Sequence, residues 1–455
     1  MSNSPYSDYK SSGIDWLGDV PGHWHVDRLK WSILDCKNGI WGSEASDDEE
    51  DIACVRVADF DRQKLQVELV DPTIRSVSEK KRRGRVLRCG DLLIEKSGGG
   101  DKQPVGCVVL YCDERPAVCS NFVARVRVAS NMDASFWRYV HAAAYAIRLN
   151  TKSIKQSTGI QNLDDHQYFD ERAAFPPFAE QVAISDFLDR ETSRMDLFVA
   201  EQERLIELLQ EKRLAVISHA VTKGLDAGAT LKPSGTEWLG DVPGHWHVDR
   251  LKWSILDCKN GIWGSEASDD EEDIACVRVA DFDRQKLQVE LVDPTIRSVS
   301  EKKRRGRVLR CGDLLIEKSG GGDKQPVGCV VLYCDERPAV CSNFVARVRV
   351  ASNMDASFWR YVHAAAYAIR LNTKSIKQST GIQNLDDHQY FDERAAFPPF
   401  AEQVAISDFL DRETSRMDLL ISNARDSIDL LRERRAALIT NAVTGKIDVR
   451  KDLGD

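Results

Sequence analysis

None of the twelve cysteines of this 455-residue chain stands in a C-x-x-C pair, which removes the usual zinc-finger and thiol-redox motifs. The first half carries Cys36, Cys54, Cys89, Cys107, Cys112 and Cys119, read as small buried hydrophobes. No apolar run reaches the ~18 residues needed to cross a bilayer. The opening MSNSPYSDYKSSG is polar, without the apolar stretch of a secretory signal. A cytoplasmic, disulfide-free protein without membrane contact is therefore expected. G-x-x-x-x-G-K-[ST] is absent, and so are a Ser-His-Asp arrangement, a metallohydrolase signature and a nuclease carboxylate cluster. The acidic run DDEEDI, Asp47 to Ile52, reads as solvated loop. The pairs His23/His25 and His245/His247 lack a second cluster at ligand spacing, so no metal is expected. No catalytic motif is therefore visible in the chain.

What is present is charge, unevenly placed. The net charge is −9, which looks wrong for a nucleic-acid binder. Yet residues 1–61 carry 5 Lys/Arg against 13 Asp/Glu, and residues 62–160 carry 18 against 9. EKKRRGRVLR, with Lys80, Lys81, Arg82, Arg83, Arg85 and Arg88, is the densest part. Such a segment attracts phosphate even within an acidic protein; it is equally a solvated surface run.

The dominant feature is a repeat. Trp16 to Leu197 recurs letter for letter as Trp238 to Leu419, an offset of 222 residues. WLGDVPGHWHVDRLKW opens each copy. Beyond the identical stretch the copies stay related: EKRLAVISHAVTKGLD from Glu211 answers ERRAALITNAVTGKID from Glu433. A period this long excludes a solenoid of short units. Either a very recent recombination or engineering produces such identity.

Within one copy, ACVRVADF, KLQVELV, VGCVVLYC and NFVARVRV are β-rich runs. SFWRYVHAAAYAIRLN has helical period, with Phe136, Tyr139, Val140, Ala143 and Ile147 on one side and Ser135 as its cap. After FPPF, no Gly or Pro occurs from Ala179 to Val221, enough for a helix ~64 Å long. Leu188, Met195, Phe198, Leu205, Leu209 and Val216 mark a heptad seam, with Gln202 interrupting it; the second copy offers Leu410, Met417, Leu420, Ala424, Leu431 and Leu438. A helix this long needs a partner along its stripe, and the other copy supplies one. KGLDAGATLKPSGTE, Lys223 to Glu237, is the linker. The expected fold is α+β: globular domains at 1–178 and 238–400, long helices at 179–222 and 401–444, a linker at 223–237 and a tail at 445–455. The helices form an antiparallel coiled coil that relates the domains by a pseudo-two-fold axis.

FPPF has the Pro-Pro-aromatic core of adenine methyltransferase motifs, but Phe175 stands where Asn or Asp binds the target amino group, and no G-x-G follows a strand. It reads as the bend into a helix. KSGGGDK, Lys96 to Lys102, follows strand-like GDLLIE; its glycines permit close backbone approach to a ligand, or form a mobile hairpin tip. SIKQSTGIQNL, Ser153 to Leu163, gathers Lys155, Gln156, Ser157, Thr158, Gln161 and Asn162. Gln and Asn suit adenine edges, and Lys suits guanine or phosphate; an ordinary polar loop is the alternative.

In this order, and twice over, WLGDVPGHWHVDRLKW, GDLLIEKSGGG, STGIQNL, FPPFAEQVAISDFLDRET and EKRLAVISHAVTKGLD make nearly the whole chain resemble the specificity subunit of type I restriction-modification systems. The resemblance implies two target recognition domains held apart by the long helices as a ruler, each reading half of a split double-stranded DNA site. It implies two modification subunits that methylate adenine with S-adenosylmethionine, and restriction subunits that use ATP and magnesium. Family members usually carry two different recognition domains; identical ones here imply an interrupted palindrome. Base-contact candidates are Lys96, Lys102, Lys155, Gln156 and Thr158, with Lys318, Lys324, Lys377, Gln378 and Thr380. Phosphate-contact candidates are Lys81, Arg82 and Arg83, with Lys303, Arg304 and Arg305. The competing class is a scaffold or protein-interaction module that does not bind DNA. The tryptophans of the opening stretch are expected to pack each domain against the end of a long helix.

Overall fold

The computed structural model describes residues 5–157, 159–379 and 381–450. In chain order it holds a sheet-rich domain, a helix Phe178–Lys223, a second sheet-rich domain and a helix Phe400–Val443. The chain divides into two compact units: Met1–Glu203 with Arg425–Asp455, and Arg204–Ala424. Each unit thus contains one sheet-rich domain and a stretch of both long helices.

In the first unit a six-stranded mixed sheet runs in the order Ile33–Asn38, Val123–Val128, Leu92–Glu95, Val108–Leu110, Gln66–Val67, Phe60–Asp61. Period-two alternation explains how it is buried on both faces. Leu92, Ile94, Ala124 and Val126 join the cluster containing the helix Ala134–Ala146. Leu93 and Val123 point the other way, onto Ala53, Val55, Ala117 and Cys119 of a four-stranded sheet. Arg125 sits on that second side and is buried because Asp35 meets it at 2.8 Å, with the Gly84 carbonyl at 3.2 Å. Arg127 grips Asp91 with two hydrogen bonds, 2.7 and 2.8 Å. Two arginines of the basic window are thereby structural. Of KLQVELV only Gln66–Val67 is strand.

The helix Ala134–Ala146 is capped by Asp133, whose carboxylate accepts from Phe136 N, and not by Ser135 as expected. Its buried face carries Phe136, Tyr139, Val140 and Ala143, but Ile147 is the exposed C-cap residue. The two prolines of FPPF lead into the first long helix, where Pro177 O accepts from Glu180 N. Gln181 ties this bend to the other helix: its Oε1 accepts from Asp133 N and its Nε2 donates to Pro176 O.

The long helices pair antiparallel within each unit. In the first, Asp196 faces Arg435 and Glu203 faces Arg432. In the second, Arg213 faces Asp418, and Leu209 clusters with Met417 and Ile421. The stripe corrects part of the expected seam. Residues 192, 195, 199, 202, 206, 209, 213 and 216 are among the less exposed ones, an alternation of three and four. Val199 and Ile206 fill the seam, whereas Phe198, Leu205 and Leu420 lie one residue off it and are exposed. Large apolar side chains beside the stripe imitate a seam that the backbone period does not support.

The second unit repeats the first domain's sheets. The segment expected as linker is partly strand: Leu231–Pro233 pairs antiparallel with Asp241–Pro243. Trp24 is fully buried among Ile439, Ala442 and Val443 of the second long helix, and Trp246 among Ile217, Ala220 and Val221 of the first. Trp31 and Trp253, by contrast, are exposed. His23 is bonded to Glu180 at 2.8 Å, and among the described residues no group of three His, Cys, Asp or Glu could hold a metal. No helix among them is long and apolar enough to cross a membrane.

Candidate nucleic-acid interface

The basic segment begins with Ser78 and a single helical turn, Glu79–Arg82. Its cations are not equivalent. Arg82 turns inward: its Nε donates to Val77 O at 2.5 Å and its Nη2 to Glu49 O at 3.1 Å. Arg85 likewise donates to Asn38 O and Lys81 O. These bonds shape the loop and leave Lys81 and Arg83 exposed. Lys303, Arg304 and Arg305 repeat the pattern, with Arg304 bonded to Val299 O and Glu271 O.

The glycine loop and SIKQSTGIQNL form one structure. Ser97–Gly98 is the outer strand of a three-stranded antiparallel sheet whose other members are Ile160–Leu163 and Ile154–Ser157. The polar loop of the alternative reading is thus a hairpin. Gln161 is buried, its Oε1 accepting from Val105 N, and Asn162 accepts from Ser97 Oγ at 2.6 Å. Lys155 and Gln156 lie on the far strand, exposed, and Lys155 is paired with Asp164 at 2.7 Å. That pairing holds the Asp164 carboxyl below its usual range, the Lys155 bond being the largest cause and Gln167 N the second. Lys102 is exposed. Thr158 and Thr380 lie outside the described residues.

Lys96 and its copy Lys318 are half-buried. Lys96 donates to Asn38 Oδ1 at 2.9 Å and pairs with Asp165 at 3.2 Å; Lys318 does the same with Asn260 and Asp387. Asn38 therefore joins the two candidate groups. Its side chain accepts from the glycine-loop lysine, and its main-chain carbonyl accepts from Arg85 of the basic segment. The sequence reading missed Lys37, the residue before Asn38. Lys37 is exposed, with its ammonium over Gly84, where a Cβ would stand 2.6 Å from Nζ. The signal was a lysine closing a strand; nothing local separates it from any surface lysine. Lys96 and Arg85 thus meet on Asn38, and Lys37 precedes it in the same strand. Lys324, Lys377 and Gln378 occupy the matching exposed positions of the second unit, with Lys377 on Asp386.

No family model matches the chain, and no curated protein matches it. Solved structures do. A chain from a structure on the complex assembly and conformational transition of the type I R-M system is 15% identical, with a TM-score of 0.68, over 93% of this chain and 98% of that one. The HsdS subunit from Thermoanaerobacter tengcongensis is 16% identical, with a TM-score of 0.53, over 94% of this chain and 98% of that one. At such identity the likeness is one of fold, and it extends over nearly the whole of each chain: this protein, with its sheet-rich domains and long helices, has the fold of a type I restriction-modification specificity subunit.

Proposed function

We propose that the chain is the DNA sequence-recognition subunit of a type I restriction-modification complex and is itself non-catalytic. One observation carries the reading: an identical sheet-rich domain occurs twice, each copy followed by a helix of more than forty residues, in a chain whose fold is shared end to end with a specificity subunit. A reader that occurs twice suits a site in two parts. Antiparallel pairing of the repeat-related helices supports inverted half-sites, hence an interrupted palindrome. Lys81, Arg83, Lys303 and Arg305 serve backbone phosphates, which position the duplex; the glycine loop and hairpin serve base edges. Two modification subunits bring S-adenosylmethionine and methylate adenine, and restriction subunits bring ATP and magnesium; none of these groups belongs to this chain. The expected location is the cytoplasm, where the DNA is.

The experiment is a map of methylated adenines in cells that express the chain with its modification partner. An interrupted palindrome is the expected motif. An asymmetric motif or a direct repeat would overturn the inverted arrangement, and no motif would overturn DNA recognition. Duplex binding should weaken steeply with salt; a scaffold that does not touch DNA would bind no duplex at any salt.

A further inference from the structure

Each recognition domain holds a cavity beside the glycine loop, about 490 Å³ in the first unit and about 500 Å³ in the second. That size lies within the range of small-molecule sites. In the first unit two half-exposed aromatic side chains line it, Trp41 and Phe122. Both are held. The Arg75 guanidinium sits 4.6 Å from the Trp41 ring centre, and its Nε donates to Trp41 O. Phe122 O accepts from Lys96 N and Ser97 N.

The lining also includes Glu95, whose side chain is only 3% exposed. Its Oε2 accepts from Arg62 at 2.7 Å, while Oε1 takes no hydrogen bond among the described residues. Burial raises the Glu95 carboxyl above its usual range, and Arg62 opposes the shift. Gly98, at φ +114°, leaves the approach open: a Cβ there would stand 3.9 Å from Glu95 Oε1. Arg56 also lines the cavity, and its buried Nε is without a hydrogen-bond partner among the described residues.

We propose that this cavity receives one nucleobase swung out of the duplex, and that the base donates an exocyclic amino group to Glu95. The inference rests on the DNA-recognition reading. Groove readout needs side chains that protrude to base edges, and a carboxylate this recessed cannot reach them. A base outside the stack can reach it, with its faces against aromatic rings. Adenine, cytosine and guanine carry the amino group; thymine does not. Trp263, Phe344 and Glu317 repeat the arrangement in the second unit.

The test uses the full chain and duplexes of the mapped site, each mismatched at one position. Extruding a base costs least where pairing is already lost. One position in each half-site should therefore bind about tenfold tighter when mismatched, and a deaminated analogue of that base should lose the gain. Trp41→Ala with Trp263→Ala, or Phe122→Ala with Phe344→Ala, should abolish the gain, and the duplex binding that remains should keep the salt dependence of the unaltered chain. No tightening at any position, tightening at thymine, or tightening that survives both variants overturns the proposal and leaves DNA recognition standing. Failure of the unaltered chain to bind any duplex overturns both.

Discussion

Arg213 of the first long helix meets Asp418 of the second at 3.0 Å, and their repeat counterparts, Arg435 and Asp196, stand 3.5 Å apart. The four residues come from equivalent places, yet the pairs differ. Arg213 also donates to Thr414 O and Gln285 O, while Arg435 Nε is buried without a hydrogen bond among the described residues. Removing one partner of a well-bonded buried pair costs about 3 kcal/mol or more; a poorly bonded arginine contributes less. Arg213→Ala should therefore destabilise its unit by about 3 kcal/mol, and Arg435→Ala by about 1 kcal/mol. Hydrogen exchange of each unit reads the two values. Equal losses would mean that the difference in bonding has no energetic weight.

The looser pair borders a cavity of about 370 Å³ lined by Met195, Val199, Leu431, Arg435 and Ala436, among others. The same places in the second unit carry Met417, Ile421, Leu209, Arg213 and Leu214, and Leu209, Met417 and Ile421 pack into one buried cluster. Val199→Ile adds a methylene where there is room and should stabilise the first unit by up to about 0.8 kcal/mol. Ile421→Val should cost the second unit about 1 kcal/mol. Denaturant midpoints of the two single variants must move in opposite directions.

Acid should weaken both domains through His141 and His363. Burial alone lowers each imidazole to about 4, and each ring pairs with a tyrosine hydroxyl, His141 with Tyr168 at 2.9 Å. Above pH ~6.5 both the folded and unfolded states are neutral and the histidines cost nothing. Between about 6.5 and 4 the unfolded chain takes up protons that the folded chain refuses, so stability falls with pH, by about 2 kcal/mol per histidine at pH 5. Below about 4 this contribution levels off. His141→Phe with His363→Phe should give a less stable protein at neutral pH, because Tyr168 and Tyr390 lose partners, but one with a flatter decline toward pH 5. An unchanged decline would assign acid sensitivity elsewhere.

The architecture was legible because repetition and period are properties of the chain itself. The break-free run after FPPF announced the first long helix, and strand alternation in NFVARVRV announced a sheet. Side-chain partners were not legible. Arg82 and Arg83 are neighbours in one basic run, yet Arg82 closes onto two carbonyls supplied by residues 77 and 49, and sequence gives no sign of that. Phe198 is larger and more apolar than Val199, yet Val199 is the buried one, because the three-four alternation decides which residue faces the seam. The aromatic cavity was invisible for a related reason: Trp41, Glu95 and Phe122 are distant in sequence and meet only through the fold.

That contrast separates two kinds of basic residue. Lys81→Ala and Arg83→Ala, with Lys303→Ala and Arg305→Ala, should weaken duplex binding on all sequences alike. The slope of log K against log salt should shrink by up to about 3.6, roughly 0.9 for each phosphate no longer neutralised. Arg82→Ala with Arg304→Ala should instead lower thermal stability and change the slope little. A large slope change from the Arg82 pair would place that side chain on the DNA in spite of its carbonyl partners.

The helices supply the last test. Their seam repeats every seven residues, so seven inserted residues between 203 and 204, matched by seven between 427 and 428, preserve the stripe and the pairs Asp196–Arg435 and Arg213–Asp418 on either side. The insertion lengthens each helix by about 10 Å, close to the rise of three base pairs. If the helices act as a ruler, the methylated motif should keep its half-site letters while its spacer grows by about three. Inserting four residues instead breaks the three-four alternation and turns one part of the helix by about 40° relative to the other; folding or activity should suffer there, which guards against reading any insertion as a spacer effect. Altered letters after the seven-residue insertion would mean that the helices help to read bases, and an unaltered spacer would mean that the distance between half-sites is set elsewhere.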